Sequence, residues 1–302
     1  MMIPRLDARL MVKGDAETMA QLREAATGIG FFTVFNTDLT PARMQDVLAQ
    51  YRAFFLLPEA EKATIDMART GANRGWGASG SEQVDPAANP DYKQFFDSGF
   101  TLPAGDPRSA LPVYAPNQWP ASLPAFQHEI ERYYDQARGV AMDVLRGIAR
   151  AIDAPDDYFD EAFETPMALL RGNYYPARPA WATARDFGIA THTDYGCLTL
   201  LATDGGPGLE VRKRGGGWIP VSAPPGEFVI NFGEMMEIWT DGLVRATPHR
   251  VIGTDLERIS IPLFFNPSHD TNIAPRGSGK TMLAGDHLSR RFAETYVHLK
   301  KT

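Results

Sequence analysis

Residues 188–203 read GIATHTDYGCLTLLAT, with two β-rich runs, 188–192 and 197–203, on either side of a polar turn that contains His192 and Asp194. Similar runs surround this stretch and are separated by Gly, Pro, Asn and Asp. They cover 168–175, 209–214, 218–221, 227–232, 249–252 and 259–265. The triplet Gly215-Gly216-Gly217 between two of them is a hairpin signal. Eight short strands joined by turns predict a jelly roll or a barrel.

Outside this region, helical periodicity dominates the chain. Apolar residues spaced by three or four over 122–152 predict one long amphipathic helix, with Pro124 near its start. Other elements are predicted as helices over 15–27, 40–55 and 288–299 and as a strand over 29–35. Residues 69–120 are rich in Gly, Pro, Asn and Asp and are expected to be mostly irregular. The predicted class is α+β, with helices that flank a β core.

The composition excludes several classes of protein. Of 302 residues, 44% are hydrophobic and 22% are charged, so extensive disorder is not expected. The net charge of −7 argues against a surface for nucleic acid or anionic membranes, because such surfaces need clustered positive charge. The single cysteine, Cys197, excludes an internal disulfide, a cysteine-built zinc site and an iron–sulfur cluster.

The sequence also predicts a cytoplasmic protein. Residues 1–11 carry three charged side chains and lack the apolar run of a signal peptide. The long uncharged stretch 109–127 contains four prolines, so it is not a membrane-spanning helix. One free thiol suits a reducing compartment. We expect a monomer that binds a small molecule, and neither nucleic acid nor membrane.

Three residues of the strand-rich half could share a metal ion. His192 and Asp194 are two positions apart, so in a strand their side chains would point to the same face. His249 begins another predicted strand. Two imidazoles and one carboxylate on one side of an ion leave three positions open, as in the facial triad of non-haem Fe(II) oxygenases. On its own, a His-x-Asp pair is also common as an ordinary structural pair.

A second pair, Arg258 and Ser260, follows His249 closely in the sequence. A guanidinium and a hydroxyl on one strand face match a carboxylate, with the planar Arg fork giving two donors and Ser a third. The alternative is an arginine at a sheet edge beside a space-filling serine. If the two strands are neighbours, the pair reaches the same cavity as the three metal-ligand candidates.

Taken together, the ordered motifs of residues 167–267 resemble the Fe(II)/2-oxoglutarate-dependent dioxygenase superfamily, in its isopenicillin N synthase-like branch. The stretches that carry the resemblance are NYYP (173–176), THTDYG (191–196), GLEV (208–211), WIPV (218–221), PGEFVIN (225–231), GEMME (233–237), TPHRV (247–251) and RIS (258–260). The first half fits more loosely, through GFF (30–32), FFLLP (54–58), RGW (74–76) and DYKQF (91–95). Asn36-Thr37-Asp38 departs from the Asn-His-Gly that is usual in the family.

The resemblance implies a fold and a role for particular residues. The fold is a double-stranded β-helix (jelly roll), with an N-terminal dioxygenase-type region at 1–120 and the catalytic region at 121–302 in one compact unit. The implied iron ligands are His192, Asp194 and His249. The residues that match those holding 2-oxoglutarate are Arg258, Ser260, Asn173 and Tyr175. Without the resemblance, Tyr175 would be interpreted as a packed aromatic residue.

The implied activity is an oxygenase that uses Fe(II), 2-oxoglutarate and O2. It hydroxylates, desaturates or cyclises a small molecule through a ferryl intermediate and releases succinate and CO2. The Asn-x-Tyr and Arg-x-Ser pairs favour this activity over an alternative of the isopenicillin N synthase or aminocyclopropane-carboxylate oxidase type, which does not use 2-oxoglutarate. A zinc hydrolase is a further alternative, but the sequence shows no obvious general base beside the three ligands. A non-catalytic binding protein is disfavoured because it would not need an intact triad. Lids are expected from 69–100 and 268–285.

Overall fold

The computed structural model describes residues 3–82, 89, 91–178, 180 and 188–295. The helices are α1 (Ala8–Lys13), α2 (Ala16–Thr27), α3 (Pro41–Phe55), α4 (Glu59–Lys62), α5 (Met67–Thr70), α6 (Pro124–Ala151), α7 (Glu234–Trp239) and α8 (Ala284–Thr295). The strands are β1 (Arg5–Asp7), β2 (Phe31–Phe35), β3 (Gly75–Gly77), β4 (Gln94–Gly99), β5 (Leu169–Tyr175), β6 (Ile189–His192), β7 (Leu198–Thr203), β8 (Leu209–Arg212), β9 (Trp218–Pro220), β10 (Phe228–Phe232), β11 (His249–Val251) and β12 (Arg258–Phe265).

These strands form two sheets. The large sheet has the order β1-β2-β10-β7-β12-β5-β4-β3, and the small sheet has the order β6-β11-β8-β9. All pairings of these strands are antiparallel except the one between β1 and β2. The two sheets share a buried cluster with Leu201 and Val229 from the large sheet and Val211 and Val251 from the small one. The structure confirms the predicted jelly roll and all eight strands predicted between 167 and 267, each to within two residues at its ends.

Strict alternation along the strands gives the large sheet two different faces. On β12, Ile259, Ile261 and Leu263 belong to the main hydrophobic core with the helices, whereas Arg258 and Ser260 line a cavity on the opposite side. Successive side chains of a strand point to opposite faces, and β5, β7 and β10 divide in the same way. The face turned towards the helices is therefore apolar, and the inner face carries the polar groups.

The long helix α6 covers the outer face of the large sheet. Its fully buried residues include Phe126, Ile130, Val144 and Ile148, which confirms the predicted amphipathic helix. The predicted start at Ser122 is not used as a cap, because its hydroxyl donates to Glu61 instead. None of the helices in the described ranges has the length and apolar character that a membrane crossing requires.

A close approach between α3 and the large sheet depends on a glycine. A Cβ added at Gly172 would lie 2.2 Å from the ring of Tyr51, so only glycine lets this ring pack directly against β5. The ring of Tyr51 in turn meets Phe126 of α6 edge to face, with the ring centroids 5.5 Å apart. The aromatic layer between helices and sheet thus fixes where β5 lies.

The N-terminal residues contribute to both edges of the large sheet. β1 and β2 extend it beyond β10, and β4 and β3 extend it beyond β5. The sequence did not indicate β3 and β4, because they lie in a segment rich in Gly, Pro, Asn and Asp that was expected to be mostly irregular. The division of the chain at residue 120 stays a prediction.

Candidate metal centre and co-substrate cavity

The three candidate metal ligands come from two strands of the small sheet and the turn after one of them. His192 is the last residue of β6 and His249 the first of β11, and the two lie directly opposite each other. Asp194 lies beyond the end of β6. The sequence suggested that strand alternation brings His192 and Asp194 together. In the structure, the turn after the strand brings these two side chains together instead.

The three side chains converge on one point. Their ligand atoms all lie within 4.8 Å of one another. Oδ1 of Asp194 is 3.7 Å from Nε2 of His192 and 3.7 Å from Nε2 of His249. All three residues are largely buried, with side-chain exposures of 14%, 8% and 9% for His192, Asp194 and His249. A single ion can bridge atoms with these separations.

Backbone carbonyls orient both imidazoles. Nδ1 of His192 lies 2.8 Å from the carbonyl oxygen of Ala190, and Nδ1 of His249 lies 3.1 Å from that of Thr247. Because a carbonyl only accepts, Nδ1 carries the proton in each neutral ring and donates it. The lone pair of Nε2 is then directed towards Asp194, as a metal ligand requires.

The protonation states also suit a divalent cation. Burial, with a contribution from His249, lowers the pKa of His192 to about 4, so this ring is neutral near neutral pH. Burial by itself raises the pKa of Asp194, but the imidazoles and hydrogen bonds from Thr199 and Asn231 outweigh it and hold the pKa below its usual value. A neutral imidazole and an ionised carboxylate are the forms that bind metal.

The candidate co-substrate residues lie on the inner face of the large sheet. Arg258 pairs with Tyr175 and Ser260 pairs with Asn173 across β12 and β5. Residues directly opposite in an antiparallel pair share a face, so the four side chains form one patch. Nδ2 of Asn173 donates to Oγ of Ser260 at 3.4 Å. The guanidinium of Arg258 lies 5.3 Å from the centre of the Tyr175 ring.

This patch has buried hydrogen-bonding atoms that the described residues leave unpaired. They are Nε and Nη1 of Arg258 and Oδ1 of Asn173. Arg258 is only 4% exposed, and burying an unsatisfied guanidinium is costly. Burial raises the pKa of Tyr175, which therefore keeps its phenol proton as a donor. The donor set fits the distal carboxylate of a 2-oxo acid.

Both groups of residues line the same cavity, which has a volume of about 140 Å³. Most of its remaining wall is apolar, with Phe31 and Leu201 among the lining residues and with Leu288 and Phe292 contributed by α8. Residues 268–285, one of the two expected lids, supply no lining residue. Leu288 and Phe292 of α8 line the cavity instead, and this helix begins at Ala284 rather than at the predicted Leu288. The predicted end at Leu299 lies outside the described residues.

A buried network of charges, which the sequence did not indicate, lies at the cavity wall. Nε and Nη2 of Arg171 donate to the two oxygens of Asp97, both at 2.7 Å, and Nη1 donates to Glu82, also at 2.7 Å. Glu82 also pairs with Lys93, whose Nζ lies 3.9 Å from Oδ2 of Asp91. Glu82, Lys93 and Arg171 line the cavity. A signal existed in DYKQF (91–95), but nothing in it identifies the partners.

Two acids of the network have pKa values that are shifted in opposite directions. Burial alone raises the pKa of Glu82, but Arg171 and Lys93 outweigh it and lower the value to about 2. Burial raises the pKa of Asp91 to about 7. Asp91 accepts a hydrogen bond from the backbone of Ala190 at 3.3 Å, two residues before His192. The charged wall is thus connected to the strand that carries a metal-ligand candidate.

Four residues outside these groups are also buried. Cys197 is fully buried in the main core. Trp76 is buried, and its Nε1 donates to Oε1 of Gln94 at 3.0 Å. Arg74 is buried and lines the cavity. His287 is buried against the turn after β6, with Nε2 3.1 Å from the carbonyl oxygen of Tyr195.

Comparison with known proteins agrees with the geometry. Residues 166–267 match the 2OG-Fe(II) oxygenase superfamily, and residues 3–122 match the non-haem dioxygenase in morphine synthesis N-terminal family. The chain is 33% identical to a 2-oxoglutarate-dependent dioxygenase, citB, of Monascus ruber, over 91% of this chain and 88% of the relative. It is 31% identical to homoarginine-6-hydroxylase 2-ODD-C23 of Glycine max, over 95% and 91%.

A solved structure shows the same architecture. A full-length Neurospora crassa protein, crystallised in complex with alpha-KG and thymine, superposes with a TM-score of 0.85 at 27% identity, over 97% of this chain and 96% of that one. The chain belongs to the 2OG-Fe(II) oxygenase superfamily. The chain is therefore a non-haem Fe(II) enzyme that uses 2-oxoglutarate. The family match and these relatives favour this class over the oxidases that do not use 2-oxoglutarate.

Proposed function

We propose that His192, Asp194 and His249 hold the ferrous iron through Nε2, Oδ1 and Nε2. The observation that carries the proposal is the convergence of these three atoms, with both Nδ1 protons directed at backbone carbonyls. Two imidazoles and one carboxylate leave three coordination positions on the opposite side. When bound together, the iron, the 2-oxo acid and O2 supply the oxidation of a substrate C–H bond, with release of succinate and CO2.

The same proposal assigns 2-oxoglutarate to the patch on the large sheet. Arg258 and Ser260 hold its distal carboxylate, and Asn173 and Tyr175 support them. The unpaired Nε and Nη1 of Arg258 favour this role because an anion would satisfy the guanidinium in a buried setting. The apolar cluster shared by the two sheets keeps water away from this end of the cavity.

The substrate is proposed to be a small molecule bound between this patch and α8. The apolar residues of α8, Leu288 and Phe292, and the charged wall of Glu82, Lys93 and Arg171 offer it both apolar and polar contacts. The Neurospora crassa protein binds thymine alongside alpha-KG, and a metabolite of comparable size is the proposed substrate class here. A monomeric state, a cytoplasmic location and the absence of nucleic-acid and membrane partners stay predictions.

The test is succinate formation from 2-oxoglutarate by anaerobically loaded protein after O2 is admitted. The wild type is expected to form succinate slowly without substrate and faster when a screened metabolite is bound. His249→Ala is expected to abolish the reaction. His128→Ala, which removes an exposed histidine on α6, is the matched control and should leave it unchanged. Equal rates in both variants would remove the ligand assignment.

A further inference from the structure

The two oxygens of Asp194 have different surroundings. Oδ1 faces both imidazoles, at 3.7 Å from each Nε2. Oδ2 is not the oxygen nearest to either Nε2, and it accepts two hydrogen bonds, from Oγ1 of Thr199 at 2.5 Å and from Nδ2 of Asn231 at 2.6 Å. The carboxylate is therefore held in one orientation by two short, charge-assisted bonds.

The two donors form a matched pair on the large sheet. Thr199 on β7 and Asn231 on β10 lie directly opposite each other. Their side chains point to the inner face, because Leu198, Leu200 and Ile230 belong to the core with the helices. The pair thus reaches from the large sheet to a carboxylate on the turn that follows β6 of the small sheet.

Burial disfavours rotation of the Asp194 carboxylate away from Thr199 and Asn231. Thr199 is 5% exposed, Asn231 is 2% exposed and Asp194 is 8% exposed. If the carboxylate rotated to present both oxygens to an ion, the hydroxyl and the amide would lose their acceptor in a nearly dry setting. Leaving buried donors unsatisfied is unfavourable.

We infer that Thr199 and Asn231 are positioning residues that keep Asp194 a ligand through one oxygen only. The inference rests on the proposed ligand set. A carboxylate that bound through both oxygens would occupy a fourth position on an octahedral ion. Two positions would then remain, enough for the 2-oxo acid but not for O2 as well. The Thr199–Asn231 pair therefore preserves the third open position.

The simpler alternative is that both hydrogen bonds only fold the turn around Asp194. The two roles differ in what calorimetry measures when Co(II) is titrated into metal-free protein. A folding role would lower the number of competent sites, whereas a positioning role raises the dissociation constant at unchanged stoichiometry. The informative variants are Thr199→Val and Asn231→Leu, which remove one donor each with little change in volume.

We expect each variant to bind Co(II) about 10–100-fold more weakly at full stoichiometry, the range typical of residues that orient metal ligands. In Fe(II)-loaded protein, we expect 2-oxoglutarate still to bind, because two positions are enough for it, and its O2-dependent conversion to succinate to be slower than in the wild type. Thr199→Ser keeps the hydroxyl and should restore wild-type binding. Thr203→Val is the control, since it removes a buried hydroxyl on the same strand that donates to Ala223 instead.

Two outcomes separate the inference from the assignment on which it rests. If His249→Ala removes Co(II) binding but neither donor variant weakens it, the positioning role is overturned and the ligand set stands. If His249→Ala also binds normally, the ligand set is wrong and the inference falls with it. Thermal unfolding of the metal-free proteins identifies variants that do not fold, and either donor variant that folds is sufficient for the test.

Discussion

Replacing Arg258 by methionine should separate stability from co-substrate binding. The side chain is 4% exposed, and its Nε and Nη1 have no hydrogen-bond partner among the described residues. In the protein without 2-oxoglutarate, the buried guanidinium is thus a cost. Removing an unsatisfied buried donor is expected to stabilise this state by about 1–3 kcal/mol.

The same substitution should strongly weaken 2-oxoglutarate binding. Two charge-assisted hydrogen bonds contribute about 1.5–3 kcal/mol each. Losing roughly 3–6 kcal/mol corresponds to roughly 10²–10⁴-fold in the dissociation constant. The assays are urea unfolding of the metal-free protein and calorimetric titration of 2-oxoglutarate into anaerobic, Fe(II)-loaded protein.

Arg43→Met is the matched control for Arg258→Met. Arg43 is also largely buried, with 12% side-chain exposure, but it pairs with Glu129 and donates to Gln136 between α3 and α6. Its replacement should lower the free energy of unfolding and leave 2-oxoglutarate affinity unchanged. The reasoning is refuted if Arg258→Met binds 2-oxoglutarate like the wild type, or if it loses as much stability as Arg43→Met.

Three further predictions concern acidic residues of the candidate metal centre and of the charged network. Asp194→Ala should lose iron and turnover while the fold survives, as shown by metal content and circular dichroism, because sheet packing and not the ion holds the scaffold. Burial raises the pKa of Asp91 from 3.8 to about 7, so the folded protein binds an extra proton between these values and its free energy of unfolding falls as the pH rises through them. Asp91→Asn should flatten this slope in urea unfolding at about pH 5 and about pH 8; an unchanged slope would exclude Asp91 as its source. Glu82→Gln leaves Lys93 and Arg171 short of a carboxylate and should cost about 3–5 kcal/mol in urea unfolding, whereas a loss well below this range would contradict the role of the network.

Local patterns in the sequence were enough for the elements and for the candidate residues. Runs of β-forming residues between turn residues over 167–267 predicted the strands, and three-to-four spacing over 122–152 predicted the long helix, because each pattern depends on neighbours within one element. His192, Asp194, His249, Arg258 and Ser260 could be singled out because their spacing within short motifs is chemically meaningful. The strand β4 escaped detection, since half of its sequence, QFFDSG, consists of Asp, Ser and Gly, which are typical of turns.

Only the tertiary structure decided which groups meet. Glu82 and Arg171 are 89 positions apart, and Asp194 and Asn231 are 37 positions apart. No periodicity links such pairs, because the pairing depends on strand order and on which strands lie opposite each other. The sequence supplied an acid between two histidines. The fold determined that one of its oxygens faces them and that the other is held by Thr199 and Asn231.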